Sequence, residues 1–238
     1  MLEILYIDDY LAVVHKPAGW LVHRTPLDKG ASQFVLQTLR DQIGQPVWPV
    51  HRLDKGTSGV LVFALSAEVA RALGQAFESG EGLHKVYRAI VRGWPPEQLL
   101  IDHALRRMPD DQRHQRLEVQ PAQTQLHTLR RGVLPVPQGT HPQLRWAEVQ
   151  LQPLTGRRHQ LRRHAKHIAH PILGDATHGK GPLNRAVAAH LGVQRLWLHA
   201  QSLGLRHPHS GAPLTLQALP EPAWALWDAH TLAQPAQA

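Results

Sequence analysis

Short apolar segments joined by brief connections are what most limits the fold of this chain. ILYI (4–7) and LAVVH (11–15) read as paired strands, with KPAG (16–19) supplying the turn chemistry. GVLVFAL (59–65) reads as a buried strand, and HKVYRAIVRG (84–93) alternates Val86, Arg88, Ile90 and Arg92 with Tyr87, Ala89 and Val91. TQLHTLRR (124–131) and LRWAEVQLQP (144–153) are further strands flanking a Pro/Gly/Gln loop at 132–143. LWLHAQSLGLRHP and PLTLQAL form a closing hairpin across HPHSGA. A parallel crossover needs about a dozen residues or more, so most neighbours cannot be parallel. The expected class is α+β, on a mostly antiparallel or mixed sheet.

Helices are fewer. ASQFVLQTLRDQIG spaces Phe34, Val35, Leu39 and Ile43 at near-helical intervals and ends on glycine. AEVARALGQAFESG is a second helix, with Ser66 placed as its N-cap and Gly80 near its end. GRRHQLRRHAKHIAH (156–170) reads as a third, opening after Thr155-Gly156, and a short one is expected around Trp224–Trp227. There is no internal repeat or low-complexity linker. One domain is expected over 1–218, followed at 219–238 by the short helix and a loose tail.

Composition narrows the chemistry. The 238 residues suffice for a real core, and the absence of cysteine excludes disulfides, thiolate zinc sites and cysteine nucleophiles. Glu3, Asp8 and Asp9 interrupt the apolar N-terminus, so it is not a signal peptide, and no stretch is apolar enough to span a membrane. A cytoplasmic location without membrane association is therefore expected, as is a monomer. The formal charge is +8, and residues 145–210 hold ten Lys/Arg against Glu148 and Asp175, which accounts for the whole excess. A field of that sign attracts polyanions, and nucleic acid is the commonest in a cytoplasm.

The polar nonapeptide HRLDKGTSG (51–59) runs directly into the buried strand. His51, Asp54 and Ser58 contain the letters of a hydrolase triad, but Val60 stands where a nucleophile elbow needs glycine. Triad members also come from separate elements rather than one short loop. No phosphate-cradling GxxxxGK[ST] or GxGxxG occurs. His159, His164, His167 and His170 have spacings a metal could use, yet Arg157, Arg158, Arg162, Arg163 and Lys166 are interleaved without a neutralising carboxylate. Polar contacts on a basic helix are the better reading there, and no metal is expected. What remains is Asp54 beside Arg52, in a chain that later supplies Arg157 and Arg162. A carboxylate near an arginine stays ionised, as a nucleophile must be, and as a structural ion pair also is.

The nonapeptide resembles the HRLDxxTSG signature of pseudouridine synthases, in the branch that includes the large-subunit rRNA enzymes. HKPAGW (15–20) resembles the family's NKPxG turn with His15 in place of Asn, KVYRAIVRG its KxYxAxVxG strand, and TGRRHQLRRH its GRxHQ[IL]R motif. HPILGD (170–175) and LWLHA follow in the family's order, so the resemblance covers residues 4–216. It implies a curved mixed sheet crossed by an RNA cleft, with 1–218 as the catalytic domain, and no organic cofactor or metal. It implies Asp54 as the catalytic aspartate, Tyr87 as the aromatic that stacks on the target base, and Arg162 as the arginine pairing with the aspartate. Leu198 would line the base pocket, and Arg52, Arg157, Arg158 and Arg163 would contact RNA. Attack at the sugar, attack at the base and proton abstraction are all open to Asp54.

Many relatives carry an N-terminal S4 RNA-binding domain. Here the first strand begins at residue 4, so none is expected. Within the family, GWLVHRTPLDKG, FVLQTLRDQIGQPVWPVHRLD and the doubled arginines of GRRHQLRRH are most similar to the group that modifies uridine 65 of tRNA. Large-subunit rRNA, alone or together with an anticodon stem-loop, is the alternative substrate. An RNA-binding module without catalysis is the non-enzymatic one. The segment 106–143 resembles the family least.

Overall fold

The computed structural model describes residues 1–24, 32–108 and 118–232. Parts of the GWLVHRTPLDKG block, of the 106–143 segment and of the C-terminal tail lie outside the described residues. In chain order the elements are β1 (Glu3–Ile7), β2 (Leu11–Lys16), α1 (Val35–Ile43), β3 (Trp48–Pro49), β4 (Ser58–Ala64), α2 (Ala67–Ser79) and β5 (His84–Arg92). They continue with β6 (Gln98–Asp102), β7 (Leu105–Arg106), β8 (Val119–Gln120), β9 (Gln123–Leu134), β10 (Leu144–Pro153), α3 (Gln160–His167), α4 (Gly181–Leu191), β11 (Leu198–Arg206) and β12 (Pro213–Gln217). A 3-10 segment, Pro222–His230, follows. The chain divides within β5 into two compact units, residues 1–87 with 198–221 and residues 88–197 with 222–238.

In the first unit the strand order is β1-β2-β4-β11, with β12 on β11 and β3 on β4. All pairs are antiparallel except β4 with β11, where Ser58 faces His199 and Gly59 faces Ala200 in parallel. The sequence SGVLVFA is buried at every position because both faces of β4 are covered. Leu61 and Phe63 pack with Val35 and Leu39 of α1, while Val60 and Val62 pack with Leu73 of α2. The α2 caps are as the sequence predicts: Ser66 accepts from Val69 N at 3.2 Å, and Gly80 takes the left-handed conformation at φ 78°. The β1–β2 turn is built differently from the expectation. Asp8, not KPAG, makes it, its carboxylate accepting from Tyr10 N and Leu11 N at 2.8 and 2.7 Å.

In the second unit β5, β10, β9 and β6 lie in that order. β9 and β10 pair from Thr124–Pro153 to Leu134–Leu144, so the strand runs through Gly132–Leu134, which the sequence reading gave to a loop. Gly132 allows this: a side chain there would overlap the Trp146 ring. Trp146, Trp197, Trp224 and Trp227 form the core of this unit, and the last two come from the 3-10 segment. No helix among the described residues is long and apolar enough to cross a membrane.

Candidate active site

The HRLDKGTSG stretch is a short loop fixed at several points to the first unit's sheet. At its start, β3 stops pairing with β4 after Pro49–Phe63. The His51 side chain then continues the ladder, its Nε2 accepting from Val62 N at 3.1 Å while the ring stacks on Phe77 at 4.5 Å. Burial, with help from the Lys85 charge, lowers the His51 pKa to about 3, so the imidazole stays neutral and can accept. Leu53 is buried in the α1-side core. The Lys55 carbonyl accepts from the fully buried Lys16 Nζ at 3.1 Å and from Gly19 N at 2.8 Å, which explains the use of KPAG. Thr57 N donates to the Asp54 carbonyl at 3.0 Å, closing the turn.

At its end the loop becomes β4. Ser58 Oγ lies 2.9 Å from His199 Nδ1, and His199 Nε2 lies 3.0 Å from the Ala218 carbonyl. Because a carbonyl only accepts, Nε2 carries the proton and Nδ1 accepts from the serine. Gly59 follows at φ 113°, and a Cβ there would overlap the Ala200 carbonyl, so only glycine fits between β4 and β11. The motif's glycine and serine are thus strand-docking residues.

Asp54 is half-buried and Arg52 exposed. Tyr87, half-buried on β5, packs on the same core cluster as Leu53. Burial pushes its phenol up to about 12, and the Asp54 charge pushes in the same direction. The first unit therefore brings Asp54 and Tyr87 within electrostatic reach of each other. Leu198, at the start of β11, is also in this unit and is buried.

Arg157, Arg158, Arg162 and Arg163 belong to the second unit. Helix α3 begins at Gln160, later than the sequence reading, because residues 156–159 form a loop that the buried Gln160 amide ties down. Its Oε1 accepts from Thr155 Oγ1 and Arg157 N at 2.7 and 3.0 Å. Its Nε2 donates to the Gln123 carbonyl and Thr124 Oγ1 at 2.9 and 3.0 Å. His159 absorbs the bend at φ 54°. Arg157 Nε donates to the Pro121 carbonyl at 3.1 Å, and partial burial lowers the Arg163 pKa. His164 is a buried polar contact, placed 3.0 Å from both Thr124 Oγ1 and the His103 carbonyl, and burial lowers its pKa.

Sequence reasoning gave no role to Asp175. In the structure its carboxylate receives Arg162 in bidentate fashion, Nε on Oδ2 and Nη2 on Oδ1, both at 2.8 Å. Thr177 N and His178 N also donate to Oδ1, at 2.9 and 2.8 Å. Burial alone would raise the Asp175 pKa, but Arg162 and these amides hold it below its ordinary value. Helix α4, absent from the sequence reading, supplies Asn184, which accepts from Gly174 N at 3.0 Å and donates to the Asp175 carbonyl at 2.9 Å. A signal was present. Glu148 and Asp175 are the two acids of the basic 145–210 segment, and both are buried against arginines, Glu148 against Arg88 and Arg130.

With this geometry in place, comparisons with known proteins are specific. The family model of RNA pseudouridylate synthases matches residues 10–167. A tRNA pseudouridine synthase C of Pectobacterium carotovorum is 50% identical over 228 residues, covering 94% of this chain and 60% of that protein. The chain thus spans less than two thirds of that relative. The protein of the same name from Vibrio cholerae is 48% identical, with 94% and 93% of the two chains covered. Among solved structures, human RNA pseudouridylate synthase domain containing 1 matches with a TM-score of 0.75 at 26% identity, covering 99% of this chain and 91% of that one. The human domain containing 4 matches with a TM-score of 0.69 at 27% identity, with 95% and 92% covered.

Proposed function

This chain belongs to the RNA pseudouridylate synthase family, and from that premise we propose that it isomerises uridine 65 of tRNA to pseudouridine. The observation that carries the reading is the placement of Asp54 and Tyr87 in one unit, close enough for the carboxylate to raise the phenol's pKa. The HKPAG turn is tied to the loop that carries Asp54, through Gly19 N and the Lys16 side chain on the Lys55 carbonyl. The relatives at 48–50% identity are named for tRNA, which favours tRNA over rRNA.

The reaction breaks the bond between the ribose C1′ and uracil N1, turns the base, and joins C1′ to C5, releasing the C5 proton. A base inside a helix must first leave the stack, costing a few kcal/mol, and stacking on the Tyr87 ring recovers part of this. Asp54 supplies the anionic oxygen that acts on the extruded nucleotide. Tyr87, neutral throughout the working range, presents an uncharged face. Arg162 is the family's partner for the aspartate, Leu198 its pocket wall, and Arg52, Arg157, Arg158 and Arg163 its phosphate contacts. RNA affinity accordingly falls steeply with salt.

The test is tritium release from a tRNA transcript carrying C5-tritiated uridine. The wild-type protein releases label, a transcript with cytidine at position 65 releases none, and large-subunit rRNA fragments release none. Asp54→Asn binds the transcript but does not turn over. Undiminished release by that variant removes Asp54 from the chemistry. Release from the cytidine-65 transcript, or from rRNA in its place, moves the target elsewhere.

A further inference from the structure

A second group of side chains lies in the first unit, in contact with Ser58 at the end of the Asp54 loop and with Ala18. His15, His199 and Glu221 offer ligand atoms that all lie within 4.8 Å of one another, the one such group of three found among the described residues. We propose that these three side chains bind a transition-metal dication, with Zn²⁺ the best match to two imidazoles and a carboxylate. The site goes beyond the isomerase reading and does not depend on it.

The hydrogen bonds prepare both imidazoles for ligation. His15 Nδ1 lies 3.1 Å from Glu3 Oε2, so Nδ1 carries the proton and the lone pair is on Nε2. That Nε2 is buried and has no hydrogen-bond partner. In His199 the proton is on Nε2, held by the Ala218 carbonyl, and the lone pair is on Nδ1. A ligating histidine characteristically donates its other N–H to a carboxylate or a backbone carbonyl, and each ring here does one of the two. The rings lie 5.5 Å apart between centroids at 70°. Glu221 Oε1 accepts from Ala18 N at 3.1 Å, which orients the carboxylate.

Charge separates this group from the histidines of 159–170. There, five cations are interleaved; here, the carboxylates of Glu3 and Glu221 accompany the two imidazoles, so a dication is partly neutralised where it binds. Tetrahedral zinc holds its ligand atoms about 3.3 Å apart, so the three side chains close in by roughly 1–1.5 Å on binding. His199 Nδ1 then exchanges the Ser58 hydroxyl proton for the metal, and a water completes the shell. The occupied site would tie β2, β11 and the segment after β12 to Ser58 and Ala18, which border the Asp54 loop and the KPAG turn.

The experiment is titration of chelator-treated full-length protein with Zn²⁺ by calorimetry, and with Co²⁺ by visible absorption. One equivalent binds, Co²⁺ gives the intense bands of a tetrahedral site, and the thermal unfolding midpoint rises. His15→Asn and Glu221→Gln each weaken binding on the order of 100-fold or more, and Glu3→Gln by about 10–100-fold through the orientation of His15. Circular dichroism of each variant confirms that it folds; His15→Asn restores the residue of the family's turn motif. Binding of unchanged strength in His15→Asn and Glu221→Gln assigns the metal to other histidines and overturns the proposal, as does the absence of any binding by the wild type.

Discussion

Asp54 and Asp175 are both carboxylates in short loops, Asp54 five residues before and Asp175 directly after a glycine that abuts a neighbouring backbone, and they differ in burial. Asp175 is buried, and four hydrogen bonds fill its oxygens, two from Arg162 and two from amides. The half-buried Asp54 sits in a loop fixed through what surrounds it: the Lys55 carbonyl, the Leu53 side chain, the His51 ring and Ser58. A carboxylate that serves the fold is satisfied by the fold. The loop that carries Asp54 is fixed by backbone and side-chain contacts on both sides of the carboxylate.

That contrast can be broken by exchanging each carboxylate for its amide. Asp54→Asn is expected to lower tritium release on the order of 10⁴-fold or more, with a smaller loss of unfolding free energy than Asp175→Asn. Asp175→Asn is expected to reverse the pattern, losing about 3–5 kcal/mol because the buried Arg162 loses the charge of the carboxylate that receives it in bidentate fashion. Urea unfolding and label release, measured on both variants, decide the matter. Equal stability losses would erase the distinction.

The two glycines sharpen it. Gly59 and Gly174 have φ of 113° and 77°, and a Cβ at either would overlap a carbonyl, of Ala200 or Arg195 respectively. Gly59→Ala and Gly174→Ala should each cost more than about 3 kcal/mol, read from the shift in urea midpoint. A mild effect at Gly59 alone would mean that the Asp54 loop tolerates movement which the Asp175 loop does not.

Acid separates the scaffolds further. His51 has a folded pKa of about 3, below the ordinary histidine value near 6.5, so the unfolded chain binds the extra proton between those limits. Its contribution to stability is complete above about pH 6.5 and is lost as pH falls through about 3, with a slope of up to about 1.4 kcal/mol per pH unit. Asp175 and Asp8 lose their contributions lower down, from about pH 4 downwards, because both have depressed pKa values. For Asp8, burial pushes upward but the bonds from Tyr6, Tyr10, Leu11 and His207 prevail, giving about 2. His51→Gln keeps an acceptor for Val62 N and cannot titrate, so stability measured from pH 7 to 4 should flatten in that variant.

The smallest expected effects are at Tyr87. Tyr87→Phe should keep more activity than Tyr87→Ala, since the ring and not the hydroxyl does the stacking; equal losses would point to the hydroxyl. In Asp54→Asn the phenol, followed by ultraviolet titration, should titrate lower than in the wild type. It should remain above the ordinary value of about 10, because burial is the larger cause.

Much of this was written in the chain itself. The continuous apolar run of β4, the alternation of β5 and the Ser66 and Gly80 caps follow from local chemistry that neighbours in sequence determine. The loop that carries Asp54 was singled out by its resemblance to the family's signature. The start of α3 was not legible, because it depends on Gln160 reaching Gln123 and Thr124 across more than thirty residues. Helix α4 had its own signals, Pro182 at the start, Leu183, Val187 and Leu191 along one face, and Gly192 at the end. Its task of holding Asp175 through Asn184 did not. Pairing of β4 with β11, the burial of Lys16 against the Lys55 carbonyl, and the meeting of His15, His199 and Glu221 likewise arise only when distant segments fold together. Side-chain periodicity and turn chemistry are set by nearest neighbours, and so the sequence alone determined the class and most of the longer strands and helices. Hydrogen bonds between segments are set by which strands become neighbours, and so only the tertiary structure decided how each carboxylate is held.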